Sequence, residues 1–257
     1  MEYGGKPAGE NNMASYTLTD FNDFNVNNIR FGDIFEGTYK KIIPIGLYSE
    51  NDDVNPFILS TPANLLTFGV QEIYDRDRKN VIGYQLPICL WGKKRVSHEE
   101  RLFTTKLEEL LTYVKEFLVS IKDELQIDDD MINGIQILNW KYENGVRCED
   151  KGPILYSKLL LNNRTQKLLT TFIDEDSNSE INPLSILNQK GTVRSAIKIE
   201  NIIIGKKIII QMKLFEVLYH RLPNSTEKTP YVKRSLLNPD INLKKIKKDV
   251  QEPTPIS

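Results

Sequence analysis

Short apolar segments separated by polar turns dominate the chain and predict a β-rich fold. Residues 64–74 and 81–90 flank a charged turn and predict a β-hairpin. Two longer runs, residues 193–204 and 206–217, lie on either side of a glycine and predict a pair of long strands with alternating faces. Shorter strands are predicted at residues 38–47, 134–142, 154–161 and 167–173, and a helical turn at 183–187. Pro44 indicates that the first of these is an edge strand, because proline cannot donate a ladder hydrogen bond.

One segment has the period of a helix instead. Between Leu102 and Leu125, apolar residues recur at spacings of three and four, with charged residues on the opposite side. These apolar residues are Leu107, Leu110, Leu111, Val114, Phe117, Leu118, Ile121 and Leu125. The expected architecture is therefore a β-rich core in the form of a β-barrel, with one long amphipathic helix inserted in it or packed on it. The aspartates at 128–130 lack the ligand spacing of a calcium loop and are predicted to form an acidic loop.

The length of 257 residues suits one large domain. No repeat or long linker divides residues 13–222, which are expected to fold as a unit. Residues 1–12 precede a second methionine in the context of a natural start, and are expected to be a tag or a disordered extension. Residues 223–257 are polar and proline-dotted, which predicts a basic, largely extended tail. No apolar run approaches the roughly 20 residues of a membrane span, and the N-terminus lacks the apolar segment of a signal peptide.

The net charge of −1 hides an asymmetry along the chain. Residues 13–75 contain nine acidic and three basic residues, whereas residues 190–248 contain fourteen basic and four acidic residues, a local net charge of +10. Such a division indicates a polyanionic partner for the basic part. The alternative is a solvated face followed by a basic tail, in which the run 244–248 is a nuclear address or a non-specific phosphate contact.

Catalytic and metal-binding motifs are absent from the sequence. There is no glycine-rich phosphate loop ending in Lys and Ser or Thr, and no Gly-x-Ser-x-Gly turn. The two cysteines, Cys89 and Cys148, suit neither a disulfide framework nor a thiolate zinc site, and His98 and His220 lie in polar contexts. We therefore expect a binding protein without catalysis, cofactor or metal; an enzyme with an unrecognised site is the alternative.

Aromatic residues alternate with basic residues in several predicted strands. Single-stranded nucleic acid is bound by this mixture, since flat rings stack on bases and a cationic groove follows the phosphates. The candidate binding residues are Trp91, Lys93, Lys94, Arg95, Trp140, Tyr156 and Lys158, with Lys198 and Lys213 as weaker phosphate contacts. For any one of these rings, packing in the core is the competing interpretation.

The second half of the chain also resembles a known family. Residues 152–159 (Gly-Pro-Ile-Leu-Tyr-Ser-Lys-Leu) are followed by Thr170-Thr171-Phe172, by 182–187 (Asn-Pro-Leu-Ser-Ile-Leu) and by the long runs 196–205 and 208–215. This succession resembles the phage-type single-stranded DNA-binding proteins and their relatives in large nucleo-cytoplasmic DNA viruses, over roughly residues 55–218. The resemblance implies an OB-fold with an inserted helix, a role in viral DNA replication and recombination, and a location in the viral replication compartment, in the host cytoplasm or nucleus, or in the virion. The family's Pro-x-x-Tyr-x-Lys strand falls on Pro153, Tyr156 and Lys158.

The end of the chain departs from that family. Phage members end in an acidic tail with a terminal aromatic residue, which recruits replication proteins, whereas this chain ends in the basic run 244–248 and a nearly neutral segment. We therefore expect the tail to contact DNA itself. Apolar residues within 228–243 predict docking on a second copy, as a homodimer, or back onto the barrel. The rival function is that of a virion structural or genome-packaging protein that uses the basic tail.

Overall fold

The computed structural model describes residues 17–48, 54–92, 96–162 and 164–222. The predicted extension 1–12, the tail 223–257 with its docking segment, and Lys93, Lys94 and Arg95 lie outside the described residues. The helices are α1 (His98–Ser120), α2 (Lys122–Leu125) and α3 (Asp129–Asn133), and 3-10 turns cover Val26–Asn28 and Pro183–Ile186. The strands are β1 (Leu18–Thr19), β2 (Ile29–Phe31), β3 (Phe35–Glu36), β4 (Lys41–Tyr48), β5 (Val54–Ser60), β6 (Leu65–Thr67), β7 (Gln71–Tyr74), β8 (Val81–Cys89), β9 (Leu138–Asn139), β10 (Tyr142–Glu143), β11 (Val146–Arg147), β12 (Ile154–Leu159), β13 (Leu161–Asn162), β14 (Lys167–Leu168), β15 (Thr171–Asp174), β16 (Ser179–Ile181), β17 (Gly191–Ile204) and β18 (Ile208–Arg221).

Strands dominate the described residues, and fourteen of them form one large mixed sheet. Its centre is the predicted long pair, β17 and β18, which run antiparallel along their whole length. The other edge of β17 pairs in turn with β6, β5 and β4, while the other edge of β18 pairs in parallel with β12 and β15. The predicted hairpin is β7–β8. The β-rich class with one long helix is confirmed, and the fourteen strands form a mixed sheet that is larger than the predicted β-barrel.

The two long strands divide their side chains between a buried and an outer face. Ile208, Ile210, Met212 and Leu214 point into the core, as the period of two predicts. Each large aliphatic side chain buried in this way stabilises the fold by roughly 1.5–3 kcal/mol. Two β-bulges, at Ala196/Ile197 and at Ile199/Asn201, interrupt the ladder. Each bulge inserts one residue and changes which side chains point outward.

The long helix α1 covers the core, and its start was predicted four residues too late. Ser97 accepts a hydrogen bond from the backbone N–H of Glu100, whose carboxylate accepts one from the N–H of Ser97. This capping box satisfies two of the free N–H groups at the helix start and fixes its first residue. Six side chains of α1 are buried, namely Phe103, Thr104, Leu107, Leu110, Val114 and Leu118. After α2, the predicted acidic loop is instead the start of α3, whose first turn is capped by the carboxylate of Asp128.

Three prolines within strands mark places where a strand changes its partner. Pro44 separates the part of β4 that pairs with β3 from the part that pairs with β2, so the prediction of an edge strand is wrong. Pro56 is the last residue of β5 that pairs with β4, before the strand turns to β17. Pro87 separates the partners β7 and β6 along one edge of β8. Proline has no backbone N–H to donate. At a position where the strand changes its pairing partner, this absence costs no hydrogen bond of the sheet.

Two further segments differ from the expectation. The predicted strand 134–142 is mostly irregular and contains only β9 and the first residue of β10. Conversely, β5 was not predicted. Phe57 and Leu59 of β5 face the main core, while Ile58 belongs to a separate buried cluster on the outer face. A strand covered on both faces has a continuous apolar run, which lacks the alternation that identifies a strand.

Candidate nucleic-acid interface

Three lysines from three neighbouring strands lie side by side on the outer face of the sheet. Lys198 of β17 is paired in register with Lys213 of β18, and Lys213 is paired with Lys158 of β12. Gln85 of β8 continues the same line beyond Lys158. Directly paired residues have Cβ atoms about 4.5–5.5 Å apart, so their side chains emerge next to each other. We call Lys158, Lys198 and Lys213 the lysine row.

Glu200 compensates part of the charge of the lysine row. It lies at the second β-bulge of β17 and forms ion pairs with Lys198 at 3.1 Å and with Lys213 at 2.5 Å. Burial raises the pKa of Glu200, but the hydrogen bonds and positive charges of Lys213 and Lys198 outweigh that effect and hold the pKa below its usual range. Lys158 is exposed and has no ion pair among the described residues.

Tyr156 provides an aromatic ring next to this row. It precedes Lys158 by two residues on β12, so both side chains point outward, while Ser157 between them is fully buried. The ring of Tyr156 is 39% exposed and lies opposite Pro87 of β8. The predicted residues Tyr156, Lys158, Lys198 and Lys213 therefore share one surface.

The two tryptophans lie at a different place. Trp91 follows β8, is only 8% exposed, and donates a hydrogen bond from Nε1 to the carbonyl of Glu149 at 3.3 Å. It packs so closely on Gly152 that a Cβ at Gly152 would lie 2.6 Å from the backbone nitrogen of Trp91. Trp140 is half-buried and meets Trp91 edge to face at 5.4 Å between ring centroids. The two rings are thus in direct contact with each other.

Sequence reasoning missed a second group of exposed cations and rings. Tyr39, Lys40, Lys206 and Lys207, which we call the tip patch, lie where the turn between β17 and β18 meets the loop before β4. Tyr39 is 92% exposed, and the three lysines have no ion pair within the described ranges. At about 3.3 Å per residue along β18, the tip patch lies roughly 20 Å from Lys213. The pair of lysines directly after Gly205 is the sequence feature from which the tip patch could have been predicted.

Uncharged residues lie between the lysine row and the tip patch along the outer face. Asn201 and Gln211 are paired in register, and Asn201 donates a side-chain hydrogen bond to Gln211 at 3.0 Å. Glu200 was also missed, although Lys-x-Glu at 198–200 places both residues on one face of a strand. The outer face thus carries cations, amides, exposed rings and one compensated carboxylate, with the apolar pair Ile203 and Ile209 between the amides and the tip patch.

Metal-holding side-chain groups and membrane-spanning helices were also sought in the described part of the chain. Among the described residues, no group of three or more His, Cys, Asp or Glu side chains is placed to hold a metal ion. No helix in the described ranges is both long and apolar enough to span a membrane. The class defined by these features is a strand-dominated protein with a basic, partly aromatic sheet face.

The family of the chain follows from comparison with known proteins. The family described as "Protein of unknown function (DUF2738)" matches residues 39–254, and the chain belongs to this family. "Uncharacterized protein 007R" of Invertebrate iridescent virus 3 is 28% identical over 148 residues, which are 56% of this chain and 32% of that protein. "Early 31 kDa protein" of Frog virus 3 is 28% identical over 178 residues, which are 68% of this chain and 67% of that protein. The chain thus spans about a third of the first relative, and both relatives are viral proteins.

Proposed function

We propose that the protein binds single-stranded DNA without sequence preference and without catalysis, in viral DNA replication or recombination. The observation that carries the proposal is the lysine row beside Tyr156 on an exposed strand surface. Lysines contact phosphates and a tyrosine ring stacks on any base, so neither residue type distinguishes one base from another. A single DNA strand that runs along the outer face from Tyr156 to the tip patch would contact lysines at both ends of this path.

The OB-like barrel is part of the same proposal. It is supported by a path of pairings that leads from β17 through β6, β8 and β12 to β18, and from β18 back to β17. Five strands joined in this way have the number and the connection expected of an OB barrel. The remaining strands of the sheet, including β4, β5 and β15, would then be additions to it.

A role in replication is favoured over packaging by one relative. The Frog virus 3 protein is called an early protein, and early synthesis fits replication better than the construction of particles. A packaging protein would be abundant in purified particles and would show no preference for single strands. We therefore propose the viral replication compartment of the host cell as the place of action.

Fluorescence anisotropy with a labelled oligothymidylate tests the proposal. We expect binding at about 50 mM salt, a steep loss of affinity as salt rises, and preference for single strands over a duplex. The double variant Lys158→Ala/Lys213→Ala should bind more weakly with a smaller salt slope. The matched control is Lys122→Ala, which removes an ion-paired lysine on α2. Absence of binding at low salt, or preference for duplex, contradicts the proposal.

A further inference from the structure

A cleft of about 220 Å³ lies between α1 and the loop that carries β10 and β11. Trp91 and Trp140 line it together with two arginines, Arg101 and Arg147, and two glutamates, Glu108 and Glu149. A neighbouring cleft of about 190 Å³ shares Trp140, so this ring borders both spaces. We call the larger space the tryptophan cleft. Its residues are not those of the lysine row.

Arg147 covers the ring of Trp140 with its guanidinium group. The guanidinium carbon lies 3.2 Å from the ring centroid, and one of its nitrogens pairs with Glu108 of α1 at 3.2 Å. The face of Trp140 is therefore already occupied by a planar group that stacks on it. Arg101 also borders the cleft and has no ion pair within the described part of the chain.

The ion pair that helps to hold Arg147 in this position is weak. The side chains of Arg147 and Glu108 are 37% and 43% exposed, so water screens their ion pair. The Nε atom of Arg147 is buried without a hydrogen-bond partner among the described residues. Arg147 belongs to the small hairpin β10–β11, in which Tyr142 and Val146 are 60% and 70% exposed. The surroundings of Arg147 are thus partly open to solvent.

We propose that the tryptophan cleft binds one nucleotide, with the base stacked on Trp140 in place of the Arg147 guanidinium. The phosphate then binds Arg147 and Arg101. A nucleobase is a larger planar group than a guanidinium and stacks readily on an indole ring. Arginine is suited to phosphate because its planar fork forms two parallel hydrogen bonds. The shared chemistry is a base with a phosphate, from a free nucleotide or from one nucleotide of a strand.

The chain contains only two tryptophans, so its intrinsic fluorescence reports on this cleft. We would titrate the full chain and its Trp91→Phe and Trp140→Phe variants with thymidine 5′-monophosphate and with oligothymidylate. Saturable quenching is expected in the wild type and in Trp91→Phe, and none in Trp140→Phe. Quenching by both probes identifies a free-nucleotide site, and quenching by the oligonucleotide alone identifies a nucleotide of a strand. No quenching by either probe, or equal quenching in Trp140→Phe, overturns the proposal.

Arginine variants test the phosphate contact. Arg147→Ala should weaken binding of the probe that quenches Trp140 by about tenfold or more, because a charge-assisted hydrogen-bond pair is lost. Arg147→Lys should restore only part of the affinity, since lysine cannot bind in a fork. Lys141→Ala is the matched control, since Lys141 is a cation of the same loop whose partner is Glu143. Circular dichroism checks that each variant is folded, and equal affinities of Arg147→Ala and Lys141→Ala overturn the proposal.

These experiments can fail for the cleft proposal and succeed for the proposal that the sheet face binds single-stranded DNA, or the reverse. If anisotropy shows oligonucleotide binding while neither probe changes the tryptophan emission, the cleft proposal is wrong and the sheet-face proposal stands. If the mononucleotide quenches Trp140 but no oligonucleotide binds, the sheet-face proposal is wrong and the cleft proposal stands.

Discussion

The outer face around the lysine row and the tryptophan cleft contain the same residue types, aromatic rings and cations, in two different physical settings. On the outer face, the side chains stand on regular strands, and Tyr156 and Lys158 are exposed. In the cleft, Trp91 is buried and Trp140 is covered by an arginine. An aromatic–basic pattern in the sequence therefore does not by itself tell an exposed ring from a buried one.

The largest expected effect is a difference in stability between variants of the cleft and variants of the outer face. Trp91→Ala should lower the free energy of unfolding by about 3–5 kcal/mol, because it removes a buried ring and leaves a cavity. Tyr156→Ala, at an exposed position, should change it by no more than about 0.5 kcal/mol. Urea unfolding followed by circular dichroism measures both. Similar losses in the two variants would mean that the two regions do not differ as described.

The next largest effect is a loss of affinity for single-stranded DNA in a variant of the outer face. Tyr156→Ala should weaken binding of single-stranded DNA by about 1–3 kcal/mol, the usual value of one stacked base, with its stability unchanged. Anisotropy at constant salt measures the loss. Tyr74→Ala serves as control, since Tyr74 is exposed on β7 and its hydroxyl bonds to Glu72. If Tyr156→Ala binds as well as wild type, this ring is not part of the interface.

A smaller effect concerns the carboxylate within the lysine row. Glu200→Gln should raise the affinity for DNA and make the salt slope steeper by about one or two, because Lys198 and Lys213 become free for phosphates. The comparison variant Glu143→Gln removes a carboxylate that pairs with Lys141 and Lys151 at the hairpin β10–β11. An unchanged slope in Glu200→Gln would show that DNA does not approach these two lysines.

The same carboxylate makes stability depend on pH. The pKa of Glu200 is lower in the folded than in the unfolded chain, so its contribution to stability is present above the unfolded pKa. This contribution is lost as pH falls through the lowered folded pKa, that is, in the acid range below the usual pKa of a glutamate. Wild type and Glu200→Gln should therefore converge in unfolding midpoint as pH is lowered. A constant difference at all pH values would contradict the ion-pair assignment.

The smallest effect concerns the tip patch. If the bound DNA strand reaches the turn between β17 and β18, each of the variants Lys206→Ala and Lys207→Ala should bind DNA slightly more weakly. Each should also reduce the salt slope of DNA binding by about one. Both positions are exposed, so stability should stay the same. A slope unchanged in the double variant would confine the DNA path to the lysine row.

Local pattern determined much of this protein. Alternation along residues 206–217 correctly assigns Ile208, Ile210, Met212 and Leu214 to the core and Lys213 to the outer face. The period of α1 and the charged turn between β7 and β8 were likewise visible in the sequence, because each depends on residues close along the chain. The same applies to the outward direction of Tyr156 and Lys158.

Tertiary structure alone decided which of these segments meet. The parallel pairing that places Lys158 beside Lys213 joins segments more than fifty residues apart in the chain, and the β-bulge that brings Glu200 to both lysines depends on the partner strand. The ion pair of Arg147 with Glu108, which lies 39 residues earlier in the chain, likewise joins the hairpin β10–β11 to α1. Register and packing between distant segments are set by the shape of the whole core, and no local period records them.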